Sequence, residues 1–357
     1  RRPSPAFHRY VGDIVVSVNP FKNVGCVGKA IRNKYKKGGA QNAQLLMPHC
    51  YHLVDQTYAQ MMLEQKSQSI LISGESGAGK TEAMKICLTY VGEVSTATDK
   101  GKKDTADPVA AKLMQTNPVM EAIGNAKTIR NNNSSRFGKH FDIQFDEKGA
   151  ILGAFTSIYL LEKPRITEHM KGERNYHIFY MLAKSPRDVR DSVGITKWQD
   201  YYICNQKGTV AEVTTWSDEK EFADCHEALF KLGFSEQQRT EAYVMLALCL
   251  DLGNLKFDAG KEGSDIKDQK QLQKCADRLK CDPKLVQEAI TFKTMGGGKL
   301  STYKSPLEPA RANGARNSLV MHIYSLVFDW AVQVINDYIS VYNAAYCTGV
   351  LDIFGFE

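Results

Sequence analysis

The residues best suited to chemistry lie in one short loop, residues 74–81 (GESGAGKT). They match the pattern G-x-x-x-x-G-K-[ST], in which backbone N–H groups surround a phosphate chain. Glycine permits the backbone conformations that bring these N–H groups close to oxygen atoms. Lys80 supplies a positive charge, and the hydroxyl of Thr81 can fill one position around Mg²⁺. This phosphate loop therefore predicts a site for a nucleoside triphosphate.

The segments on either side predict the elements that hold the phosphate loop. Residues 69–73 (SILIS) have the pattern of a short buried strand. Residues 82–91 have a helical period, with one apolar face formed by Ala83, Ile86, Cys87, Tyr90 and Val91. Strand, glycine-rich loop and helix are the context in which this pattern binds phosphate, since the helix N-terminus also attracts anions.

A second group of polar side chains lies at residues 131–139 (NNNSSRFGK). Hydroxyl groups can coordinate Mg²⁺ or hold a water molecule, and asparagine amides can hold phosphate oxygens. A site that senses the γ-phosphate needs such segments, which move when the phosphate leaves. Composition alone favours the alternative interpretation, an ordinary hydrophilic loop.

A third candidate segment is residues 352–357 (DIFGFE), which follows an apolar strand. Asp352 can hold a water bound to Mg²⁺, and the backbone N–H of Gly355 can contact a γ-phosphate. Taken in isolation, this hexapeptide is equally consistent with a simple strand end.

Together the three segments resemble the signatures of one family, the myosin motor domains, with switch I at residues 131–139 and switch II at residues 352–357. Residues 19–22 (NPFK) are similar to the family's purine-binding loop. Further family-like segments follow at residues 117–128, 172–180 and 252–257. The resemblance covers nearly the whole chain in the family's order, and it is greatest to class I myosins.

The resemblance implies an actin-activated ATPase that uses ATP and Mg²⁺. The nucleotide would be bound by Asn19, Pro20, Lys22, Gly74, Glu75, Ser76, Gly77, Ala78, Gly79, Lys80, Thr81, Glu82 and Asn131. The metal would be held by Thr81 and Ser135, with Asp352 behind them. The catalytic residues would be Ser134, Arg136, Gly355 and Glu357. In this interpretation Ser134 orients the attacking water, and Arg136 pairs with Glu357 when the switches close.

Two positions bear on regulation and on binding of the base. Ser301 resembles an actin-facing position where the family tends to need a negative charge, which phosphorylation would supply. An unmodified loop serine is the alternative. Val27 stands where the family usually has tyrosine, so the adenine would lose an aromatic or hydroxyl contact.

Composition narrows the class of protein. The 357 residues exceed the usual size of a single core, so two or more subdomains are expected. No apolar run approaches the roughly 18 residues that suggest a membrane span. Nine scattered cysteines without a C-x-x-C pair favour reduced thiols in a cytosolic protein. A net charge of +6 without an aromatic-interleaved basic pattern argues against a nucleic-acid partner.

The predicted elements describe an α/β fold: a P-loop NTPase core with a central, mostly parallel twisted sheet flanked by helices. Residues 170–300 are mainly helical and predict a largely helical upper subdomain. Further strands are predicted at residues 11–18, 140–145, 151–161 and 349–354, and helices at residues 51–65 and 316–343.

The resemblance also divides the chain into three parts. Residues 1–130 would hold the purine loop, the phosphate loop and a polar loop 1. Residues 131–348 would hold switch I and a 50K-like upper subdomain, with the actin-facing loop near residue 301. Residues 349–357 would form the switch II strand.

We therefore expect the N-terminal two-thirds or less of a motor head, which couples ATP hydrolysis to binding and movement on F-actin. Calmodulin-like light chains would bind a neck outside this chain, and membranes would be reached only through an absent tail. The expected location is the cytoplasmic actin cytoskeleton, and the chain alone is expected to lack actin-activated turnover. A non-hydrolysing, nucleotide-regulated actin tether is the alternative, and the presence of all four catalytic candidates disfavours it.

Overall fold

The computed structural model describes residues 8–38, 47–96, 108–295 and 303–352. Ser301, Gly355 and Glu357 lie outside these residues, so their predicted roles stay predictions. The chain forms two compact units. The first unit consists of Arg1–Asn117, Ser134–Leu160 and Val334–Glu357, and the second of Pro118–Asn133 and Leu161–Gln333. The predicted three-part division rests on motif positions and stays a prediction.

The described residues form short runs of strands and of helices. The strands are β1 His8–Val11, β2 Ile14–Ser17, β3 Gln68–Ile72, β4 Asn125–Ala126, β5 Ser134–Ser135, β6 Gly138–Phe145, β7 Ile151–Tyr159, β8 Phe257–Ala259, β9 Ser264–Ile266, β10 Phe292–Met295, β11 Tyr303–Pro306 and β12 Tyr346–Asp352. The helices are α1 Lys29–Gly38, α2 Cys50–Glu64, α3 Lys80–Thr96, α4 Pro108–Gly124, α5 His177–Ala183, α6 Arg187–Ser192, α7 Asp218–Lys231, α8 Glu236–Gly253, α9 Gln269–Leu279, α10 Pro283–Thr291 and α11 Pro309–Ile339.

A four-stranded sheet in the order β3-β12-β6-β7 forms the centre of the first unit. β12 runs parallel to β3, whereas β12 and β6, and β6 and β7, are antiparallel. The sheet is therefore mixed, and the predicted mostly parallel arrangement was wrong for the strands that the structure describes. The reason is local: β6 and β7 are joined by a short turn, and only antiparallel strands can be joined in that way.

The predicted strand at residues 11–18 is also different in the structure. β1 and β2 form an antiparallel hairpin in which Val11 pairs with Ile14. Gly12 occupies the turn with a φ of 60°, in the left-handed region that two-residue hairpin turns require. The single-strand prediction overlooked the turn signal of Gly12 and Asp13.

Helix α2 confirms the prediction at residues 51–65. It begins at Cys50 because the side chain of His49 accepts a hydrogen bond from the backbone N–H of Tyr51, and it ends before Gln65, which has a left-handed φ of 54°. The ring of Tyr51 stacks on that of Tyr90 in α3, with the ring centroids 4.8 Å apart. This stacking fixes α2 against the helix that follows the phosphate loop.

The second unit is mainly helical, as predicted for residues 170–300, with the short hairpins β8–β9 and β10–β11 added. Side-chain caps mark where its helices begin. Ser235 and Gln238 form a reciprocal capping box at α8, and Asp268 caps α9. These caps satisfy backbone N–H groups that a helix start leaves without partners.

A buried ion pair lies in the core of the second unit. Arg174 Nη2 donates to Asp218 Oδ1 at 2.9 Å, and Nη1 donates to Oδ2 at 3.1 Å. The Arg174 side chain is 0% exposed and that of Asp218 is 4% exposed. Arg174 Nε and Nη2 also lie 3.1 and 2.8 Å from Nδ1 of His177. Every charge in this group has a close partner, which offsets the cost of burying it.

Helix α11 is long and apolar enough to cross a membrane by length and composition alone, and it is the one such helix among the described residues. Burial within the protein covers 44% of its most apolar window. Tyr324 and Phe328 are almost fully buried, and the Tyr324 hydroxyl donates to the carbonyl of Ile123 at 2.7 Å. These contacts are those of a core helix.

Candidate nucleotide-binding site

The phosphate loop connects the end of β3 to the start of α3, which confirms the predicted order of strand, loop and helix. Gly77 has a φ of 79° and Gly79 a φ of 92°, values that side chains disfavour. The carbonyl of Gly79 accepts from the N–H of Ala83 at 2.9 Å and so starts the first helical turn. Glycine at these two positions lets the chain turn sharply into α3.

Lys80 folds back over the phosphate loop. Its Nζ donates to the carbonyl of Gly74 at 2.7 Å and to that of Glu75 at 2.8 Å. Both acceptors are backbone oxygens of the loop itself, and neither is an ionised group. Phosphate oxygens are stronger acceptors for an ammonium group than neutral carbonyls, because the bond then joins two charges.

Thr81 and Asp352 meet although 271 positions separate them, with Thr81 Oγ1 donating to Asp352 Oδ2 at 3.1 Å. The parallel pairing of β3 and β12 explains this contact. Asp352 lies opposite Ile72, so both strands deliver their carboxyl ends to the same edge of the sheet. Hydroxyl and carboxylate oxygens at this edge are the ligands that a hard cation prefers.

Lys139 is a charged residue at this edge that the sequence analysis did not assign to the site. Its Nζ lies 4.0 Å from Asp352 Oδ2, and both side chains are nearly fully buried. The contact follows from the antiparallel register, in which Asp352 pairs with Lys139. The available signal was its position as the last residue of the polar segment 131–139.

Three of the predicted polar residues come together beside the phosphate loop. The hydroxyl oxygens of Ser76 and Ser134 are 3.3 Å apart, and Arg136 Nη1 donates to Ser134 Oγ at 3.0 Å. Ser134 is buried, whereas Ser76 and Arg136 are half-buried. The half-buried Ser135 follows in β5, and its side chain forms no hydrogen bond with another described residue.

Asn131 belongs to the second unit, and its predicted contact with phosphate stays a prediction. Within that unit Asn131 is the anchor of a tight turn. Its side-chain oxygen accepts from the N–H of Asn133 at 2.9 Å, and its own N–H donates to Thr128 Oγ1 at 3.1 Å.

Asn19 links the predicted purine loop to the phosphate loop. Its Nδ2 donates to the carbonyl of Gly77 at 2.9 Å, and its Oδ1 accepts from the N–H of Phe21 at 2.9 Å. A cavity of about 240 Å³ lies here. We call it the base cavity, and its lining includes Asn19, Pro20, Lys22, Val27, Ala78, Gly79 and Glu82. The three purine-loop residues predicted to bind the nucleotide, Asn19, Pro20 and Lys22, therefore border one cavity, and so does Val27.

Glu82, the remaining predicted residue, is exposed in the first turn of α3, where it pairs with Lys85 at 3.1 Å. Among the described residues, no three His, Cys, Asp or Glu side chains are arranged to hold a metal ion by themselves.

Comparison with known proteins defines the family. Residues 3–357 match the family model described as myosin head (motor domain), and the chain therefore belongs to the myosin motor-domain family. It is 38% identical to the myosin IB heavy chain of Dictyostelium discoideum over 97% of its length. It is also 38% identical to Myosin-1 of Emericella nidulans over 98%, and to unconventional myosin-Ia of Mus musculus over 100%. These class I relatives agree with the predicted likeness to that class.

The alignments cover 31%, 28% and 34% of these relatives. The chain thus spans about a third or less of the length of the curated relatives it matches.

Proposed function

We propose that this chain is the nucleotide-binding part of an actin-activated Mg-ATPase, the motor head of a class I myosin. One observation carries the proposal: residues far apart in sequence converge on the phosphate loop. Asp352 bonds Thr81, and Ser134 contacts Ser76. A loop that merely bound nucleotide would not need either partner, whereas a site that detects the γ-phosphate does.

Binding of ATP would use the loop and the base cavity together. The loop N–H groups and the start of α3 would surround the phosphates, and Asn131 would add a contact. Lys80 would exchange the carbonyls of Gly74 and Glu75 for the β- and γ-phosphate oxygens. The base would lie along Asn19, Pro20 and Lys22, and Val27 would contribute packing without a ring or hydroxyl.

The side-chain oxygen atoms of Thr81, at the start of α3, and of Asp352, at the end of β12, are of the kind that magnesium binds. The Thr81 hydroxyl already faces the Asp352 carboxylate, and Lys139 balances part of that charge. Thr81 and Ser135 would hold the ion, and Asp352 would hold one of its waters. The ion would neutralise charge on the phosphates during transfer.

For hydrolysis, Ser134 would orient a water molecule toward the γ-phosphorus. Oxygen of the water would bond to that phosphorus as the bond to the β–γ bridging oxygen breaks, and the water proton would pass by way of Ser134 to phosphate oxygen. Arg136 donates to Ser134 and would also pair with Glu357 to exclude bulk water, while the Gly355 N–H would hold the γ-phosphate.

In the full-length protein, F-actin would accelerate this cycle. Calmodulin-like light chains would bind a neck, and a tail would provide any contact with membrane. The protein would work in the cytoplasmic actin cytoskeleton. Phosphorylation of Ser301 would add the negative charge that an actin-facing loop needs.

The test is Arg136→Ala in the full-length protein, with the exposed neighbour Arg130→Ala as control. We expect Arg136→Ala to bind a fluorescent ATP analogue normally and to lose roughly a hundredfold or more in single-turnover hydrolysis. Arg130→Ala should hydrolyse at the wild-type rate. Unchanged hydrolysis in Arg136→Ala would refute its role, and absence of turnover in the wild type with actin filaments would favour a nucleotide-regulated tether.

A further inference from the structure

A second cavity lies within the second unit, and we call it the amide cavity. Its lining residues come from segments 199–205, 253–258 and 267–271 and from Asn313 and Arg316 of α11. Its volume of about 800 Å³ is within the range of pockets that hold small molecules. Among the described residues it shares none with the base cavity, so it is a separate candidate site.

Arg316 is a buried cation in the wall of the amide cavity, and its acceptors are neutral. The residue is 6% exposed. Its Nη1 donates to the carbonyl of Leu255 at 2.6 Å, while Nε and Nη2 donate to Asn317 Oδ1 at 3.1 and 2.7 Å. Burial lowers the pKa of Arg316, although a guanidinium still keeps its proton. A buried charge without a counterion favours the binding of an anion, because pairing offsets the cost of burial.

The three carboxylates of the lining each have a partner of their own. Asp258 Oδ2 pairs with Lys267 Nζ at 3.0 Å. Asp268 caps α9 by accepting a hydrogen bond from a backbone N–H in the first turn of that helix. Asp200 Oδ1 lies 3.8 Å from Lys197 Nζ. These carboxylates are therefore not the counterions of Arg316.

Lys256 and Arg316 are the remaining cations of the lining, and neither forms an ion pair with another described residue. Lys256 is exposed, whereas Arg316 is buried. The cavity thus presents two positive charges that the described acidic groups do not balance. A phosphate monoester carries about −1.5 to −2 charges at pH 7, and its oxygens suit the planar fork of a guanidinium.

Side-chain amides supply a different kind of contact in the same cavity. Asn205, Gln271 and Asn313 each donate with the amide nitrogen to a backbone carbonyl, at 2.8 to 2.9 Å. In the part of the chain that the structure describes, none of their three side-chain oxygens accepts a hydrogen bond. Since an amide oxygen can only accept, these groups select ligands that carry hydroxyl donors.

We propose that the amide cavity binds a small hydroxylated phosphate of the sugar-phosphate class. Arg316 and Lys256 hold the phosphate group, and the amide oxygens of Asn205, Gln271 and Asn313 accept from the hydroxyl groups. The bound molecule contacts both α9 and α11, so its binding stabilises the second unit. The proposal does not rest on ATP hydrolysis, because every residue of this site lies in the second unit.

The test is calorimetric titration of the full-length protein with glucose 6-phosphate. Mg²⁺ and a non-hydrolysable ATP analogue are present in excess, so that the phosphate loop is occupied. We expect a dissociation constant of about 0.1 to 1 mM for a ligand of this size. Inorganic phosphate should bind roughly tenfold more weakly or worse, because it lacks the hydroxylated body, and glucose should give no binding heat.

Lys256→Glu keeps the test independent of folding, because the side chain is exposed. It should weaken glucose 6-phosphate binding roughly tenfold or more, since an attractive charge becomes a repulsive one. The matched control is Lys261→Glu, an exposed lysine in the turn between β8 and β9 that is not in the lining. It should bind with wild-type affinity. Arg316→Lys keeps the charge but loses the fork, so it should also bind more weakly, with thermal unfolding as the check that it folds.

Three results would overturn the proposal. The first is a dissociation constant for glucose 6-phosphate weaker than about 10 mM. The second is equal affinity for inorganic phosphate and glucose 6-phosphate, which would remove the role of the hydroxyl groups. The third is wild-type affinity in Lys256→Glu, which would place the phosphate elsewhere. None of these results bears on hydrolysis at the phosphate loop.

Discussion

Lys80 of the first unit and Arg174 of the second are two cations that donate hydrogen bonds to acceptors of different charge. Arg174 is fully buried and makes a two-bond pair with the carboxylate of Asp218. Lys80 is half-buried and donates to the neutral carbonyls of Gly74 and Glu75. The Arg174 pair cannot be broken without leaving a buried charge, whereas a phosphate group can replace the acceptors of Lys80. The contrast separates a charge that maintains the fold from one that binds a ligand.

The largest effect should come from removing the structural cation. Arg174→Ala leaves the carboxylate of Asp218 buried without its two-bond partner, with Lys184 Nζ 3.5 Å from its Oδ2. We expect the free energy of unfolding to fall by about 3 to 5 kcal/mol. Urea unfolding followed by tryptophan fluorescence measures this, since Trp216 Nε1 lies 3.4 Å from Asp218 Oδ1.

The matched control is Arg187→Ala, which removes an exposed pair with Asp191 one helical turn away. Its cost should be about 0.5 kcal/mol or less. Equal losses of stability in the two variants would show that burial does not distinguish these pairs.

Removing the ligand-binding cation should weaken ATP binding and leave the free energy of unfolding nearly unchanged. Lys80→Ala is expected to weaken ATP binding roughly a hundredfold, since hydrogen bonds to charged groups contribute about 1.5 to 3 kcal/mol each. Its free energy of unfolding should change by no more than about 0.5 kcal/mol. Calorimetric titration with MgATP and urea unfolding provide the two readings. The control is Lys85→Ala, further along α3, which should change neither ATP affinity nor the free energy of unfolding. The contrast between Lys80 and Arg174 would be contradicted if the Lys80 variant lost stability but still bound ATP normally.

A smaller effect is expected at the base cavity. Asn19→Ala removes the hydrogen bond to the carbonyl of Gly77, worth about 1 kcal/mol, so ATP affinity should fall about fivefold. The control is Asn23→Ala, because Asn23 makes only a local bond to the N–H of Gly25 at the same cavity. If both variants bind ATP equally, the link between purine loop and phosphate loop has no role in affinity.

A further expected effect is the pH dependence of stability in the second unit. Burial first, then the charges of Arg174 and Arg165, lower the pKa of His177 well below its ordinary value. Near pH 6.5, His177 therefore binds a proton in the unfolded chain and stays neutral in the folded chain. Stability from this group is complete above that pH and falls by up to about 1.4 kcal/mol per pH unit below it.

His177→Asn should flatten this dependence, because an amide oxygen can still accept from Arg174 but does not titrate. Urea midpoints between about pH 5 and 7 measure the slope. The exposed His322→Asn should retain the wild-type slope. An unchanged slope in His177→Asn would assign the effect to other buried histidines.

The sequence predicted elements well where the pattern was local. The helices after the phosphate loop and at residues 51–65 follow from apolar periodicity and are present. The prediction of a mostly parallel sheet was wrong, because the short turn at residues 147–149 joins β6 and β7 as an antiparallel hairpin. The phosphate-loop pattern does not determine the direction of the strands that pair with β12. The single strand at residues 11–18 failed because Gly12 was given no weight.

The site was predictable as residue types but not as contacts. The bond between Thr81 and Asp352 depends on β12 pairing with β3, which no local pattern encodes. Lys139 was missed for the same reason, since its contact with Asp352 arises from strand register. That residues 74–81, 131–139 and 352–357 belong to one site was implied by the resemblance to the family, and local sequence patterns do not encode it.

The most direct test of the comparison is a structure of the full-length protein with Mg²⁺ and a non-hydrolysable ATP analogue. Lys80 Nζ should leave the carbonyls of Gly74 and Glu75 and bond phosphate oxygens, while the Arg174–Asp218 pair keeps both of its hydrogen bonds. A bound nucleotide with Lys80 still on the loop carbonyls, or with the Arg174 pair rearranged, would contradict this account.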